Sequence, residues 1–194
     1  MNSLEFYFDY RSPYSYLAYT QFANLNANLI LIPFDIVDVM KRVENVPTSV
    51  ICAAKNRYVQ KDLRRWAALY GVQLNRHPKA NEIDARRLLR ATLAAGQLGN
   101  MASAAGAIFH ARWRDPVPLE TSSQIATLLG QVGFDCSEIE PMIDSLELDQ
   151  ALDKGSAAAA ERGVFGAPTF FVGDDMYFGN DRLDFVRARL EADQ

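Results

Sequence analysis

A chain of 194 residues with 49% hydrophobic and 23% charged residues, 11 glycines and 8 prolines suits one compact domain carrying a large insertion. That composition excludes a disordered, collagen-like or disulfide-scaffold protein. A formal net charge of -4 argues against a dedicated nucleic-acid or anionic-membrane surface, and the short basic clusters Arg64-Arg65 and Arg86-Arg87 read as the solvated sides of helices.

Cys52 and Cys136 lie far apart without metal-ligand spacing or a CxxC pairing, so no metal site is expected. The opening residues Met1 to Glu5 run directly into a strand-like pattern with no basic segment or apolar core of a signal, and no apolar stretch is long enough to span a bilayer. A cytoplasmic protein with reduced cysteines is expected.

Leu4, Phe6 and Phe8 alternate with Glu5, Tyr7 and Asp9, a period of two that predicts a strand with its aromatic face buried. Ser12 before Pro13 pairs an N-cap hydroxyl with a first-turn proline, and Tyr14, Leu17, Ala18, Phe22 and Leu25 follow at helical spacing. The apolar run 29–34 has the length of a second strand, which completes a βαβ unit with parallel strands. From about 37 to 146 the pattern is helical throughout. Leu63, Trp66, Ala67 and Tyr70 fall at i, i+3, i+4, i+7 before Gly71, and 88–95, 104–113, 125–129 and 139–143 repeat the theme between Gly, Pro and Asn breaks. A helix over 147–162 stops at Gly163. Two short runs, 169–172 and 176–178, flank Gly173-Asp174-Asp175 and predict a hairpin, and a last helix over 181–190 turns Leu183, Phe185, Val186 and Leu190 inward.

The ends therefore spell βαβ and αββα around a helical block. This is a thioredoxin-like α/β plan, a mixed sheet with helices on both faces, built from 1–36 and 147–194 with an all-helical insertion over 37–146.

In such a fold the turn holding Ser12-Pro13-Tyr14-Ser15 is where a CxxC pair would sit, and both cysteine positions are serine. Thiol-disulfide exchange by the chain itself is thereby unavailable. Ser12 serves either as an N-cap alone or as a donor, beside free helix N–H groups, to an external thiolate. A thiol of pKa roughly 8.5 needs a downward shift of about two units, about 2.7 kcal/mol, to be mostly ionised at neutral pH. One charge-assisted hydrogen bond of about 1.5–3 kcal/mol with a helix-terminus contribution of about 0.3–1 reaches that. Pro168, after the glycine-marked loop 163–167, suits a cis bond that leaves the backbone of Ala167 free to pair with a peptide-like ligand, or is an ordinary proline at a strand edge. Asn180 and Asp181 either cap the last helix or bind the carboxylate and ammonium of an amino-acid headgroup.

These three segments resemble the glutathione-dependent 2-hydroxychromene-2-carboxylate isomerases, relatives of kappa-class glutathione transferases on the DsbA-like thioredoxin fold. The resemblance covers nearly the whole chain. It is carried by Phe6-Tyr7-Phe8-Asp9-Tyr10, the run from Ser12 to Ala18, Asn45, Pro47, Lys55, Tyr58, the run from Asp62 to Ala67, the run from Gly163 to Val172, and Gly179-Asn180-Asp181-Arg182-Leu183. It implies that Ser12 holds the sulfur of glutathione with Pro13 and Tyr14 beside it, that Ala167 before Pro168 pairs with the cysteinyl backbone, and that Asn180 and Asp181 bind the γ-glutamyl end. Asn45 would reach both cofactor and substrate, with Lys41 and Val46 on the substrate side and Lys41 facing a carboxylate. Trp66 is assigned to the core and Arg65 to a structural or polar role, while His77 and His110 have no identifiable partner. Arg11, where the family carries mixed or apolar residues, either adds positive potential near the thiolate or faces solvent.

The reaction implied interconverts a 2-hydroxychromene-2-carboxylate and its ring-opened benzylidenepyruvate in aromatic breakdown, with glutathione recycled, in a homodimer. Two rivals stand beside it: a kappa-like transferase that consumes glutathione, and a non-catalytic thioredoxin-like binding protein.

Overall fold

The computed structural model describes residues 3–46 and 51–192. Strand β1 (Ser3–Phe8) leads through α1 (Pro13–Tyr19) and a 3-10 turn (Phe22–Asn24) to β2 (Asn28–Pro33). The helices α2 (Ile36–Arg42), α3 (Ala53–Tyr70), α4 (Ala85–Gln97), α5 (Met101–Trp113), α6 (Ser122–Gly130), α7 (Cys136–Ile143) and α8 (Leu146–Glu161) follow. Strands β3 (Thr169–Val172) and β4 (Asp175–Phe178), a 3-10 turn (Asn180–Arg182) and α9 (Leu183–Ala192) close the chain.

The helices start where a side-chain oxygen can take an otherwise unpaired N–H. Asp35 caps α2 and Asp84 caps α4, Asn100 caps α5, and Thr121 forms a capping box with Gln124 on α6. Gly71, at φ +66, ends α3 in the left-handed region that a side chain disfavours.

The sheet order is β2-β1-β3-β4, with β1 and β2 parallel and the other pairs antiparallel. Phe6 faces Leu31 on one side and Phe170 on the other, and Phe170 faces Tyr177. This is the mixed sheet the element order predicts, with helices on both faces.

The expected alternation in β1 is only half of the pattern. Leu4, Phe6 and Phe8 enter the larger core with residues of α1 and α4 to α9, while Tyr7, at 6% exposure, joins Phe34, Val39, Ala159, Val164 and Phe171 under α2 and α8. Both faces of this central strand are covered towards its C-terminal end, and Asp9, just beyond it, is completely buried. Phe6 stacks on Phe8 at 5.1 Å and on Phe170 at 5.5 Å, and Phe109 of α5 meets Phe8 at 5.3 Å. Each such buried ring contributes about 1.5–3 kcal/mol.

Two expectations need correction. Phe185 is 62% exposed, because Leu183, Val186 and Leu190 at i, i+3, i+7 form the inward stripe of α9 and Phe185 points off it. Arg86 is not merely on a solvated side: its guanidinium bonds Asp35 at 3.0 Å, Asp149 at 2.8 Å and Asp153 at 2.8 Å, tying α4 to α8 and to the cap of α2.

Candidate active site

The turn between β1 and α1 is clamped by charge. The buried carboxylate of Asp9 accepts from the backbone N–H of Arg11 at 2.8 Å and of Ile36 at 2.9 Å, and the Arg11 guanidinium bridges Asp9 at 3.1 Å and Asp35 at 2.6 Å. Arg11 therefore neither faces solvent freely nor is left to act on a thiolate; its charge is neutralised inside the clamp. Burial raises the Asp9 carboxyl above its ordinary value in spite of Arg11. For Asp35, burial works in the same direction, but the guanidiniums of Arg11 and Arg86 prevail and hold it below.

Ser12 is held by its backbone N–H, which donates to Asp9 O at 3.0 Å. Its hydroxyl caps α1, accepting from the Ser15 N–H at 3.2 Å with Pro13 in the first turn, and it donates to the carbonyl of Ala167 at 2.9 Å. Of the two roles expected of Ser12, the cap is the one formed here. One oxygen caps the helix while its proton faces the segment 155 residues away.

That segment is fixed from several sides. The Ala167–Pro168 peptide is cis, Thr169 Oγ donates to Gly166 O at 2.8 Å, and Gly179 N–H donates to Pro168 O at 2.9 Å. The amide of Asn45, at the end of α2, donates to Phe165 O at 2.8 Å. Ala167 precedes the paired register, which begins at Thr169 against Tyr7 and Phe178. Its carbonyl is not free as expected, since Ser12 already occupies it.

A cleft of about 230 Å³ opens beside this junction, lined by Tyr14, Asp62, Trp66, Ala167, Pro168, Phe178, Gly179, Asn180 and Asp181. Tyr14 donates to Asp62 at 2.9 Å and Tyr58 to the other oxygen of Asp62 at 3.2 Å. Burial and the Asp62 carboxylate push the Tyr14 phenol well above its ordinary value, so it stays a donor at neutral pH. Asn180 is buried; its carbonyl accepts from Tyr70 at 3.2 Å and its amide points at the same hydroxyl at 3.5 Å. Asp181 is half exposed and pairs with Arg182 at 2.5 Å. A larger groove of about 740 Å³, lined by residues such as Tyr19, Leu29 and His110, includes neither Ser12 nor Ala167.

The structure thus gathers Ser12, Tyr14, Ala167, Pro168, Asn180 and Asp181 at one place, with Pro13 in the same turn as Ser12. Asn45 stands behind them, holding the loop. Lys41 and Val46 are exposed and do not line the cleft, and Pro47 lies outside the described residues. Trp66 packs on the Leu17, Leu63 and Ala67 core cluster as expected, but it is only half buried and its ring also walls the cleft beside Tyr70, ring centroids 5.3 Å apart. Arg65 is exposed. His77 does have partners: Lys79 N–H donates to its Nδ1 at 3.1 Å, which leaves Nε2 to donate to Val117 O at 2.8 Å.

Asp62 and Phe178 were not singled out as site residues. The i, i+4 spacing of Tyr58 and Asp62 carries the first signal; Phe178, packed on Phe165 at 4.6 Å, carries none beyond its strand position. Among the described residues no group of three or more His, Cys, Asp or Glu is placed to hold a metal ion, and no helix is long and apolar enough to cross a membrane.

The model of the DSBA-like thioredoxin domain matches residues 3–191. A 2-hydroxychromene-2-carboxylate isomerase of Pseudomonas putida is 33% identical over 192 residues, 96% of this chain and 93% of that protein. A glutathione S-transferase kappa 2 of Caenorhabditis elegans is 28% identical over 94% of this chain and 89% of its own length. A solved 2-hydroxychromene-2-carboxylate isomerase superposes with a TM-score of 0.88 at 31% identity, covering 98% of this chain and 95% of its own. With both cysteine positions of the thioredoxin turn replaced by serine and the cis-proline loop retained, the chain belongs to the DSBA-like thioredoxin family and, within it, to the 2-hydroxychromene-2-carboxylate isomerase family.

Proposed function

We propose that the protein is a glutathione-dependent isomerase that interconverts 2-hydroxychromene-2-carboxylate, or a closely related aromatic carboxylate, with its ring-opened benzylidenepyruvate. The observation that carries this reading is the Ser12 hydroxyl, its oxygen anchored as a helix cap and its proton aimed across 2.9 Å at the carbonyl before a cis proline. The full-length likeness to isomerases of this activity supports it.

The residues present fit a glutathione-like ligand. Neither position of the turn carries a thiol that would compete with an external one, the backbone before Thr169 lies outside the sheet register, and the cleft ends in the polar pair Asn180 and Asp181. Bound glutathione supplies a thiolate, whose reversible addition to a conjugated carbon converts a double bond into a single bond about which the substrate can rotate. Ser12 turns its proton from Ala167 to the sulfur and stabilises the charged form. Ala167 O, released by that turn, accepts from the ligand backbone. Tyr14, its proton held by Asp62, turns an acceptor oxygen to the same wall as the Asp62 carboxylate. Asn45 fixes the loop through Phe165 and acts by positioning.

Glutathione binding measured by calorimetry in two buffers across pH 6 to 9 tests this. Wild type is expected to bind with proton release at neutral pH, and Ser12→Ala to lose that release and the isomerase activity while losing only about 0.5–2 kcal/mol of stability with its cap. Absence of glutathione binding in wild type defeats the reading. Net consumption of thiol during turnover replaces it with a transferase, the activity named for the nematode relative.

A further inference from the structure

Helix α3 forms one wall of the cleft through Asp62 and Trp66. It carries Lys55, Arg57, Lys61, Arg64 and Arg65 against a single acid, Asp62, in a chain whose carboxylates outnumber its lysines and arginines by 24 to 20. Arg57, Lys61, Arg64 and Arg65 fall at i, i+4, i+7, i+8, so they share one face of the helix, turned away from the buried Leu63 and Ala67. All four are exposed, and among the described residues none of them has an ion-pair or hydrogen-bond partner.

Elsewhere the fold pairs its cations. Arg86, Arg87 and Arg90 of α4 reach Asp35, Asp144 and Asp149, Arg162 reaches Glu5, and Arg187 and Arg189 of α9 reach Asp184 and Asp175. Like charges one turn apart repel, so the uncompensated stripe weakens α3, and its exposed side chains add no packing in return.

The cleft is where a positive field is wanting. Among the described residues its lining includes two carboxylates, Asp62 and Asp181, and no lysine or arginine. Arg182 offsets Asp181, but Asp62 accepts only from the neutral hydroxyls of Tyr14 and Tyr58. A net charge of -4 adds to the repulsion of an approaching anion. Both reactants of the proposed reaction are anions: glutathione has two carboxylates and one ammonium, with a further negative charge once its thiol ionises, and the aromatic substrate has a carboxylate. At 1.5 Å per residue the stripe runs about 12 Å along the helix that holds Asp62 and Trp66. The Debye length is about 30 Å at 0.01 M salt and about 8 Å at 0.15 M, so the stripe acts on the cleft mouth strongly in dilute salt and less at physiological salt.

We propose that Arg57, Lys61, Arg64 and Arg65 form an electrostatic guide on the outward face of α3, which raises the concentration of anionic reactants at the cleft without touching them once bound. The proposal rests on the isomerase reading for the identity of those anions.

Glutathione affinity measured by calorimetry at pH 7, from about 10 to about 500 mM salt, decides it. Wild type is compared with three variants: Arg57→Gln, Lys61→Gln, Arg64→Gln and Arg65→Gln combined; Arg57→Lys, Arg64→Lys and Arg65→Lys combined; and Arg65→Gln alone. The combined glutamine variant is expected to bind glutathione about three- to tenfold more weakly than wild type at the lowest salt and to match it at the highest. The lysine variant is expected to follow wild type throughout, and Arg65→Gln alone to show only a small part of the loss. In turnover, the combined glutamine variant is expected to lose kcat/KM over the same salt range with kcat unchanged. All four positions are exposed and unpaired, so melting temperatures equal to or above that of wild type are expected. A wild-type affinity independent of salt, or equal affinities of wild type and the combined glutamine variant at about 10 mM salt, would overturn the guide and leave the isomerase reading in place. So would a loss that persists at about 500 mM salt, or one that Arg65→Gln or the lysine variant reproduces in full, since each marks a direct contact. Failure of wild type to bind glutathione at any salt removes the isomerase reading and the guide with it.

Discussion

Asp62 accepts from two tyrosines at once, Tyr14 of α1 and Tyr58 of its own helix, so a single carboxylate joins the Ser12 helix to the wall of the cleft. Removing it strands the half-buried Tyr14 hydroxyl, whereas removing that hydroxyl leaves Asp62 with Tyr58 and water. Asp62→Ala is therefore expected to cost about 1–2 kcal/mol and Tyr14→Phe about 1, with the double variant short of the sum by about 1 kcal/mol. Urea denaturation of the four proteins reads this cycle, and strict additivity would mean that the hydrogen bond contributes nothing to stability. The same residue explains a limit of sequence reading. The 48-residue separation of Tyr14 and Asp62 leaves no local trace, while the i, i+4 pair Tyr58 and Asp62 was visible but indistinguishable from any solvated helix face.

At the scale of elements, the order of strands and helices was legible because each has a local cause: alternation in β1, Ser-Pro at α1, Gly71 and Gly163 at helix ends, and a turn between β3 and β4. What failed locally was facing. Phe185 looked apolar and inward, yet the stripe of α9 is set by the core it meets. The junction between β4 and α9 shows a stricter requirement. Gly179 has φ +100 and ψ 148, a region open essentially to glycine alone, and an added Cβ would collide with Asp181 Oδ1. Gly179→Ala is thus expected to cost about 1–3 kcal/mol and to displace Asp181 from the cleft. A fall in melting temperature together with several-fold weaker glutathione binding is the expected result, whereas a variant with wild-type values for both would show that this turn can relax without loss.

Across the whole molecule, the insertion and the sheet are joined by charge as well as by the common core. Arg11, Asp35, Arg86, Asp149, Arg90 and Asp144 form a chain of ion pairs from the Ser12 turn through α4 to α7 and α8, and its members lie 24 to 63 residues apart in the pairs that cross between elements. Such pairs have no sequence signature, which is why Arg86 read as a surface residue. Their effect on stability has a definite sign. Asp35 is held below its ordinary value of 3.8 by Arg11 and Arg86 against its burial, Asp144 by its Ser122 hydrogen bond and then by Arg87 and Arg90, and Asp149 by Arg86 and Arg90. Each contributes stability that is complete above 3.8 and is lost as pH falls through the lower folded value, since the unfolded chain binds the protons first. Asp9, held above 3.8 by burial, runs the other way and recovers stability as pH falls from its folded value towards 3.8. The shares of Asp144 and Asp149 are the smaller ones, because both side chains are partly open to solvent. Arg86→Met removes the guanidinium shared by Asp35 and Asp149, so the variant is expected to be less stable at neutral pH and to approach wild type as pH drops below about 4. Urea midpoints measured from pH 7 to pH 3 should therefore converge; two parallel curves would mean that Arg86 stabilises the molecule by packing and not by charge.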